Sequence, residues 1–107
     1  MVECKMDLDL LFASLADQTR RSILERVSKN PHSISELAES YKQMSFAAVA
    51  KHVQVLEKSG LVEKKRQGRQ QIITVIPISI KTATSYLQKY EKMWDERFDK
   101  LENLLSH

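Results

Sequence analysis

Cysteine, glycine and proline are scarce in this chain of 107 residues, which contains one cysteine, two glycines and two prolines. Because Cys4 has no second cysteine to pair with, an internal disulfide is excluded. No apolar run approaches the ~20 residues that a membrane-spanning helix needs, and no signal peptide opens the sequence. We therefore expect a single cytosolic domain, since domains commonly contain about 100–150 residues.

The small number of glycine and cysteine residues also argues against an enzyme. Both glycines are assigned below to a helix end and a turn, so no glycine-rich loop remains to cradle phosphate. No Ser-His-Asp set or carboxylate pair stands out. Cys4, His32, His52 and His107 are too far apart in sequence for zinc-like ligand spacing. We expect no catalysis, no metal and no cofactor, and Cys4 is open to two interpretations, an inert thiol or a redox sensor.

Positive charge is concentrated in the middle of the chain. Residues 42–71 carry seven basic and two acidic side chains, a net charge of +5, within a chain whose total is +3. Residues 1–41 have a net charge of −2, and residues 72–107 are neutral. Such an asymmetry favours a polyanionic partner.

Capping residues divide the first half of the chain into helices. Apolar residues at spacings of three and four predict a first helix over residues 7–16. Asp17 is placed to cap a second helix, and Ser33 with Glu36 forms a capping-box pattern at the start of a short third helix. Ser45 is placed to cap a fourth helix after a tight turn.

The second half predicts a hairpin and one long helix. Gly60 suits the left-handed position after the fourth helix. Residues 61–76 then alternate with a period of two around Gly68, which predicts a β-hairpin whose second strand ends at Pro77. An apolar stripe predicts a helix over residues 79–105.

The expected fold is therefore mainly α with a small β-hairpin, in the order α-α-α-α-β-β-α, as in a winged helix-turn-helix. Its single domain, residues 1–107, divides into a helix-turn-helix over 33–58, a β-wing over 61–76 and a long C-terminal helix over 79–105.

The fourth helix has two unlike faces. Val49, Val53 and Leu56 form its apolar face at about 100° per residue. The opposite face begins with small alanines and continues with Lys51 and Gln54. In a helix-turn-helix the second helix enters the major groove, about 12 Å wide, where small residues permit close approach. Taken alone, this face is also explained by the helix propensity of alanine and a solvated row of lysines.

The hairpin carries Lys64, Lys65, Arg66 and Arg69, with only Glu63 opposed. Lysines on an edge hairpin often serve only to discourage aggregation. Four basic residues near one tip exceed that need, and we expect them to meet phosphates, with Arg69 the best candidate for the minor groove.

The last helix is predicted to form a dimer. Leu87, Trp94 and Leu101 are seven residues apart, as a helix–helix seam requires. A helix of about 26 residues is about 39 Å long, which exceeds the ~26 Å diameter of a domain of this size. Packing on its own domain is the alternative. The expected dimer interface consists of Leu8, Leu11, Phe12, Leu87, Tyr90, Trp94, Phe98 and Leu101.

Three segments, LADQTRRSIL, ISELAE and MSFAAVAKHVQVLEKSGLVEKKRQGRQQ, resemble the ArsR-type winged helix-turn-helix repressors of bacteria over about residues 10–76. The family pattern falls on Ser45, Val49, Lys51, His52, Val53, Leu56, Gly60, Leu61 and Val62. The resemblance implies a dimeric transcriptional repressor that releases operator DNA on a signal, which the sequence does not identify. The cysteines that metal sensors of this family carry in the third helix are absent from SISELAE.

The expected DNA-binding residues follow from the fourth helix, the basic hairpin and the family resemblance taken together. Phe46 is open to two interpretations, contact with a thymine methyl group or a staple to the core. His52 is expected to be a packed side chain with one nitrogen on a backbone or phosphate oxygen. The full set is Ser45, Phe46, Ala47, Ala48, Lys51, His52, Gln54, Lys58, Lys64, Lys65, Arg66 and Arg69. The alternative functions are a protein-interaction module that uses the aromatic last helix, and RNA binding.

Overall fold

The computed structural model describes residues 7–106, so the predictions for Cys4 and His107 lie outside the described residues. The chain is mainly helical with a small antiparallel sheet. Its elements are α1 (Leu8–Ser14), α2 (Gln18–Lys29), β1 (His32–Ser33), α3 (Ile34–Ser40), α4 (Phe46–Lys58), β2 (Val62–Gln67), β3 (Gln70–Val75) and α5 (Pro77–Leu105). Within the described part of the chain, no helix is long and apolar enough to cross a membrane.

Side-chain caps begin four of the helices, and the three caps that the sequence predicts are among them. The Asp17 carboxylate accepts a hydrogen bond from the Arg20 amide at 3.0 Å, at the start of α2. Ser33 and Glu36 form the complete capping box of α3. The Ser45 hydroxyl accepts from the Ala48 amide at 3.1 Å, at the start of α4. Each cap satisfies an amide that would otherwise lack a helical partner.

Gly60 ends α4 in the left-handed conformation, with φ of 85°. The Gly60 amide donates to the Glu57 carbonyl at 3.0 Å, and the Leu61 amide donates to the Leu56 carbonyl at 3.1 Å. This pair of bonds is the Schellman motif, which satisfies the last carbonyls of a helix. The chain therefore turns directly from α4 into β2, and Leu61 folds back into the core at 1% exposure.

The sheet has three strands in the order β1-β3-β2, one more than the predicted hairpin. The added strand pairs His32 with Ile73 and Ser33 with Ile72. The hairpin runs from the pair Val62↔Val75 to Gln67↔Gln70. Its two-residue turn begins at Gly68, whose φ is 63°, the conformation that glycine permits at the first central position of a hairpin turn.

The core lies between α1 to α4 and the inner face of the sheet. Its fully buried members are Leu11, Ile23, Val27, Ile34, Leu37, Val49, Val53, Leu56, Leu61, Val62 and Ile73. Leu11 is 0% exposed within a single chain, so its assignment to a dimer interface is wrong. The apolar stripe of α1 is shared between this core, which takes Leu11, and the protein surface, where Leu8 and Phe12 are partly exposed.

The last helix begins two residues earlier than expected, at Pro77, which occupies the first turn of α5 instead of ending a strand. Proline is well suited to this position because its missing amide would have no helical partner there. The chain measures 66 Å along its longest axis, and its radius of gyration is 18.2 Å, compared with about 13 Å for a typical domain of 100 residues. Much of α5 therefore projects from the domain.

Candidate nucleic-acid interface

The recognition-helix candidate α4 divides into a buried and an exposed face, as its sequence predicts. Val49, Val53 and Leu56 are 0% exposed and fix the helix on the core. Ala48 and His52, both assigned to the DNA-binding set, are only partly exposed at the edge of the buried face. The members of that set on α4 and its cap that are exposed are Ser45, Phe46, Ala47, Lys51, Gln54 and Lys58.

Buried hydroxyl groups fix the C-terminal end of α4. The Ser59 hydroxyl, at the helix end, donates to the Leu56 carbonyl at 2.8 Å and accepts from the Ser14 hydroxyl of α1 at 3.2 Å. Ser14 shares its single hydroxyl hydrogen between Ser59 and the Leu11 carbonyl. The Ser79 hydroxyl of α5 donates to the Gly60 carbonyl. Because a buried polar group is costly without a partner, these bonds resist rotation or sliding of α4.

His52 faces α2, not a phosphate-accessible surface. Its Nδ1 lies 3.4 Å from an Arg20 guanidinium nitrogen and 3.8 Å from an Asp17 carboxylate oxygen. Arg20 is held in turn by the carbonyls of Ala13 and Ser14 at the end of α1. The hydrogen bond from the Arg20 amide lowers the pKa of the Asp17 carboxyl, limited burial opposes this, and the neighbouring His52 lowers it further. The expectation of a packed histidine holds, but its neighbours are an arginine and a carboxylate.

The basic residues of the wing differ in their partners. Lys64 forms an ion pair with Glu57 of α4 at 3.3 Å, and Lys65 pairs with Glu63 at 3.4 Å. The Arg66 guanidinium donates to the Gly68 carbonyl at 3.2 Å, which stiffens the turn. The Lys64–Glu57 pair joins β2 to the last turns of α4, so the wing and the helix form one continuous surface.

Five cations of residues 42–71 form no ion pair within the described residues. They are Lys42 in the turn before α4, Lys51 and Lys58 on α4, and Arg66 and Arg69 on the wing. All five are exposed. Both carboxylates of the region, Glu57 and Glu63, are already paired with wing lysines. The surface consequently presents uncompensated positive charge, which is the electrostatic requirement for binding a polyanion.

Two groups at this surface are absent from the predicted set. Arg20 holds the end of α1 and faces His52, and a signal for it was available in the arginine pair Arg20 and Arg21 in the first turn after the Asp17 cap. Lys42 is exposed in the helix-turn-helix connection, where the charge count alone identifies it.

The apolar residues predicted for a dimer lie mainly uncovered on α5. Trp94 is 63% exposed, and Leu87, Tyr90, Phe98 and Leu101 are each at least half exposed. Further apolar residues of α5 are also exposed: Ile78, Ile80, Met93, Leu104 and Leu105.

One aromatic contact joins the base of this stripe to α1. The rings of Phe12 and Tyr86 are 5.9 Å apart, and Tyr86 continues edge-on to Tyr90 at 5.3 Å. The hydrogen bond between the two tyrosine hydroxyls raises the pKa of Tyr86. Helices α1 and α5 thus present one joint surface.

Across residues 7–106, no three histidine, cysteine, aspartate or glutamate side chains come together in a way that would hold a metal ion.

The chain is similar to a helix-turn-helix family model, to known transcriptional regulators and to solved structures. A family model described as a helix-turn-helix domain matches residues 15–65. The uncharacterized HTH-type transcriptional regulator YuzN of Bacillus subtilis is 38% identical over 71 residues, which cover 61% of this chain and 77% of the relative. The HTH-type transcriptional regulator Rv2034 of Mycobacterium tuberculosis is 30% identical over 82 residues, covering 77% of this chain and 76% of the relative. The crystal structure of an ArsR family transcriptional regulator, RHA00566, superposes with a TM-score of 0.76 at 30% identity, covering 89% of this chain and 97% of that one.

Proposed function

We propose that this chain, which belongs to the ArsR family of winged helix-turn-helix transcriptional regulators, acts in the cytoplasm as a dimeric repressor without catalytic activity of its own. In this proposal α4 enters the major groove and the wing lies on the adjacent backbone or minor groove. Two copies bind the two halves of a palindromic operator, with their α4 helices about 34–36 Å apart.

One observation carries the proposal, namely the unpaired cations on the exposed face of a helix whose other face is fully buried. Lys51 and Lys58 project from α4, and Arg69 extends the positive surface to the wing tip. Ala47 leaves the leading end of α4 slim enough to approach base edges. Phosphate contacts would set orientation and affinity, whereas α4 would distinguish sequences.

The paired cations have a smaller role in this proposal. Lys64 and Lys65 are neutralised by Glu57 and Glu63, so each releases fewer counterions than a free cation on binding DNA. Arg66 keeps its charge while it holds the turn, and we assign it to the backbone beside Arg69.

The dimer is proposed on the basis of the uncovered stripe of α5 together with α1. A row of half-exposed leucine and aromatic side chains is costly in water, and burial against a second copy removes that cost. Leu11 is withdrawn from the proposed interface because it belongs to the core. Leu8, Phe12, Leu87, Tyr90, Trp94, Phe98 and Leu101 remain.

The test is a binding titration of a labelled DNA duplex by fluorescence anisotropy over a series of salt concentrations. We expect log K to fall steeply and linearly with log salt. Lys51→Ala should weaken binding. The matched control Lys92→Ala removes the same charge from an exposed position of α5 and should not. Affinity independent of salt, or equal losses in the two variants, would reject the proposal.

A second candidate function, a protein-interaction module, is supported by the apolar groove that Trp94, Phe98, Leu101 and Leu104 line on α5. It predicts that Lys51→Ala has no effect on the protein's binding activity. Competition with single-stranded and double-stranded RNA distinguishes RNA binding, because a deep and narrow RNA major groove does not admit α4.

A further inference from the structure

Phe46 is an exposed apolar side chain that lies outside the surface proposed for the dimer. It is 56% exposed at the first position of α4. Within residues 7–106, every other exposed large hydrophobic side chain belongs to α1 or α5, the two helices that carry the proposed dimer surface. Phe46 is on neither helix, so dimer formation through α1 and α5 gives no reason for its exposure.

Phe46 does not staple α4 to the core. A hydrophobic staple joins the residue before the N-cap to the fourth helical residue, and with Ser45 as the cap these are Met44 and Val49. Met44 is partly buried and packs against the core cluster that contains Val49. The staple position is therefore occupied by Met44, and the Phe46 side chain remains 56% exposed.

The position of Phe46 restricts what its ring can meet. The N-terminal residues of a recognition helix contact base edges. The donors and acceptors that base pairs present in the major groove are polar, and a phenyl ring bonds none of them. The one apolar group there is the 5-methyl group of thymine. The residues on either side of it in the chain, Ser45 and Ala47, are small and exposed.

We infer that Phe46 determines operator specificity by contacting a thymine 5-methyl group, one in each half-site. This inference rests on the proposed function, because it requires α4 to enter the major groove. Contact with the methyl group adds a preference for thymine that the charged residues do not supply. Lys51 and Lys58 are placed to bind phosphates, which are the same in every DNA sequence.

The experiment removes the methyl group while leaving base pairing unchanged. Duplexes selected from a random pool by the wild-type protein define the operator, and each thymine is then replaced singly by deoxyuridine. We expect one position in each half-site to lose about fourfold in affinity, the equivalent of burying one methyl-sized group. In Phe46→Ala this position should show no loss, whereas Phe46→Leu should retain part of it.

Two controls separate this inference from the proposed function. Lys51→Ala should bind more weakly overall but keep the full deoxyuridine effect. The melting temperature of Phe46→Ala should stay close to that of the wild type, because the Phe46 side chain is more than half exposed and alanine favours the helix. If the wild type selects an operator but tolerates deoxyuridine everywhere, or if Phe46→Ala keeps the loss, the inference is wrong and the proposed function stands. If no duplex is bound, both are wrong.

Discussion

Replacing Arg69 with alanine removes an unpaired cation at the tip of the wing and should flatten the salt dependence of DNA binding. Each phosphate neutralised by the protein contributes about −0.9 to the slope of log K against log salt. A dimer has two wings, so loss of both arginines should reduce the slope by about 1.8. Between about 50 and 200 mM salt, the wild type should lose about tenfold more affinity than the variant.

Arg69 is the most suitable residue for this measurement, because its replacement changes one charge and no ion pair. Its side chain is exposed and forms no ion pair among the described residues, and the turn conformation depends on Gly68. Alanine should therefore leave the fold unchanged. Lys65 is a poorer choice, because its removal also frees Glu63 and so changes two charges. Lys92→Ala again serves as the matched control, with the same loss of charge on α5.

The assay is anisotropy of a labelled duplex at five or more salt concentrations, for wild type, Arg69→Ala and Lys92→Ala in parallel. A flattened slope in Arg69→Ala alone supports a wing that contacts phosphates. An unchanged slope for Arg69→Ala, with lower affinity at every salt concentration, would show that Arg69 acts without releasing counterions, and the phosphate argument would fail.

Three further predictions concern the dimer, the cap of α4 and acid stability. Trp94→Ala should raise the dimer dissociation constant about 30-fold or more, because truncating a large interface aromatic commonly costs at least about 2 kcal/mol; sedimentation that shows an unchanged dimer would contradict the interface. Ser45→Ala should lower stability by about 1 kcal/mol, whereas Ser45→Asp should keep the cap and weaken DNA binding by repulsion; equal melting temperatures for Ser45→Ala and the wild type would refute the cap. The Asp17 pKa is lowered in the folded protein, so its contribution to stability is present above the unfolded pKa near 3.8 and is lost as pH falls below it. Chemical unfolding of the wild type and Asp17→Asn between about pH 5 and 2 should therefore show their stability difference moving in favour of the variant as pH falls, and a difference that is constant with pH would disprove the linkage.

Most of the fold could be predicted from residues that lie close together in the sequence. Caps and glycine positions depend on residues within one helical turn, and so Asp17, Ser33, Ser45 and Gly60 could all be assigned from their neighbours. The strand β1 could not be predicted in this way. Its two residues are too few to show an alternating pattern, and its partner β3 follows about 40 residues later along the chain.

Side-chain partners were the part that the sequence could not supply. Lys64 and Lys65 are adjacent, yet they point to opposite faces of β2 and reach different carboxylates. Which lysine meets Glu57 depends on the register of the hairpin and its packing on α4, and both are tertiary features. Leu11 illustrates the same limit, since helical periodicity identifies an apolar stripe but not which surface covers it.

The position of α4 and the surface proposed for the dimer depend on the same two helices. Ser14 of α1 and Ser79 of α5 hold the end of α4 through hydrogen bonds to Ser59 and the Gly60 carbonyl. Helices α1 and α5 also carry the apolar residues that a second copy would cover. If two copies packed differently along α5, each α4 helix would therefore move together with the α5 of its own copy. The buried hydroxyl hydrogen bonds hold α4 in place, so α4 could not shift back to its former position. An operator with two half-sites at fixed separation tolerates little such movement, so the packing of α5 should set both the strength and the spacing of DNA recognition.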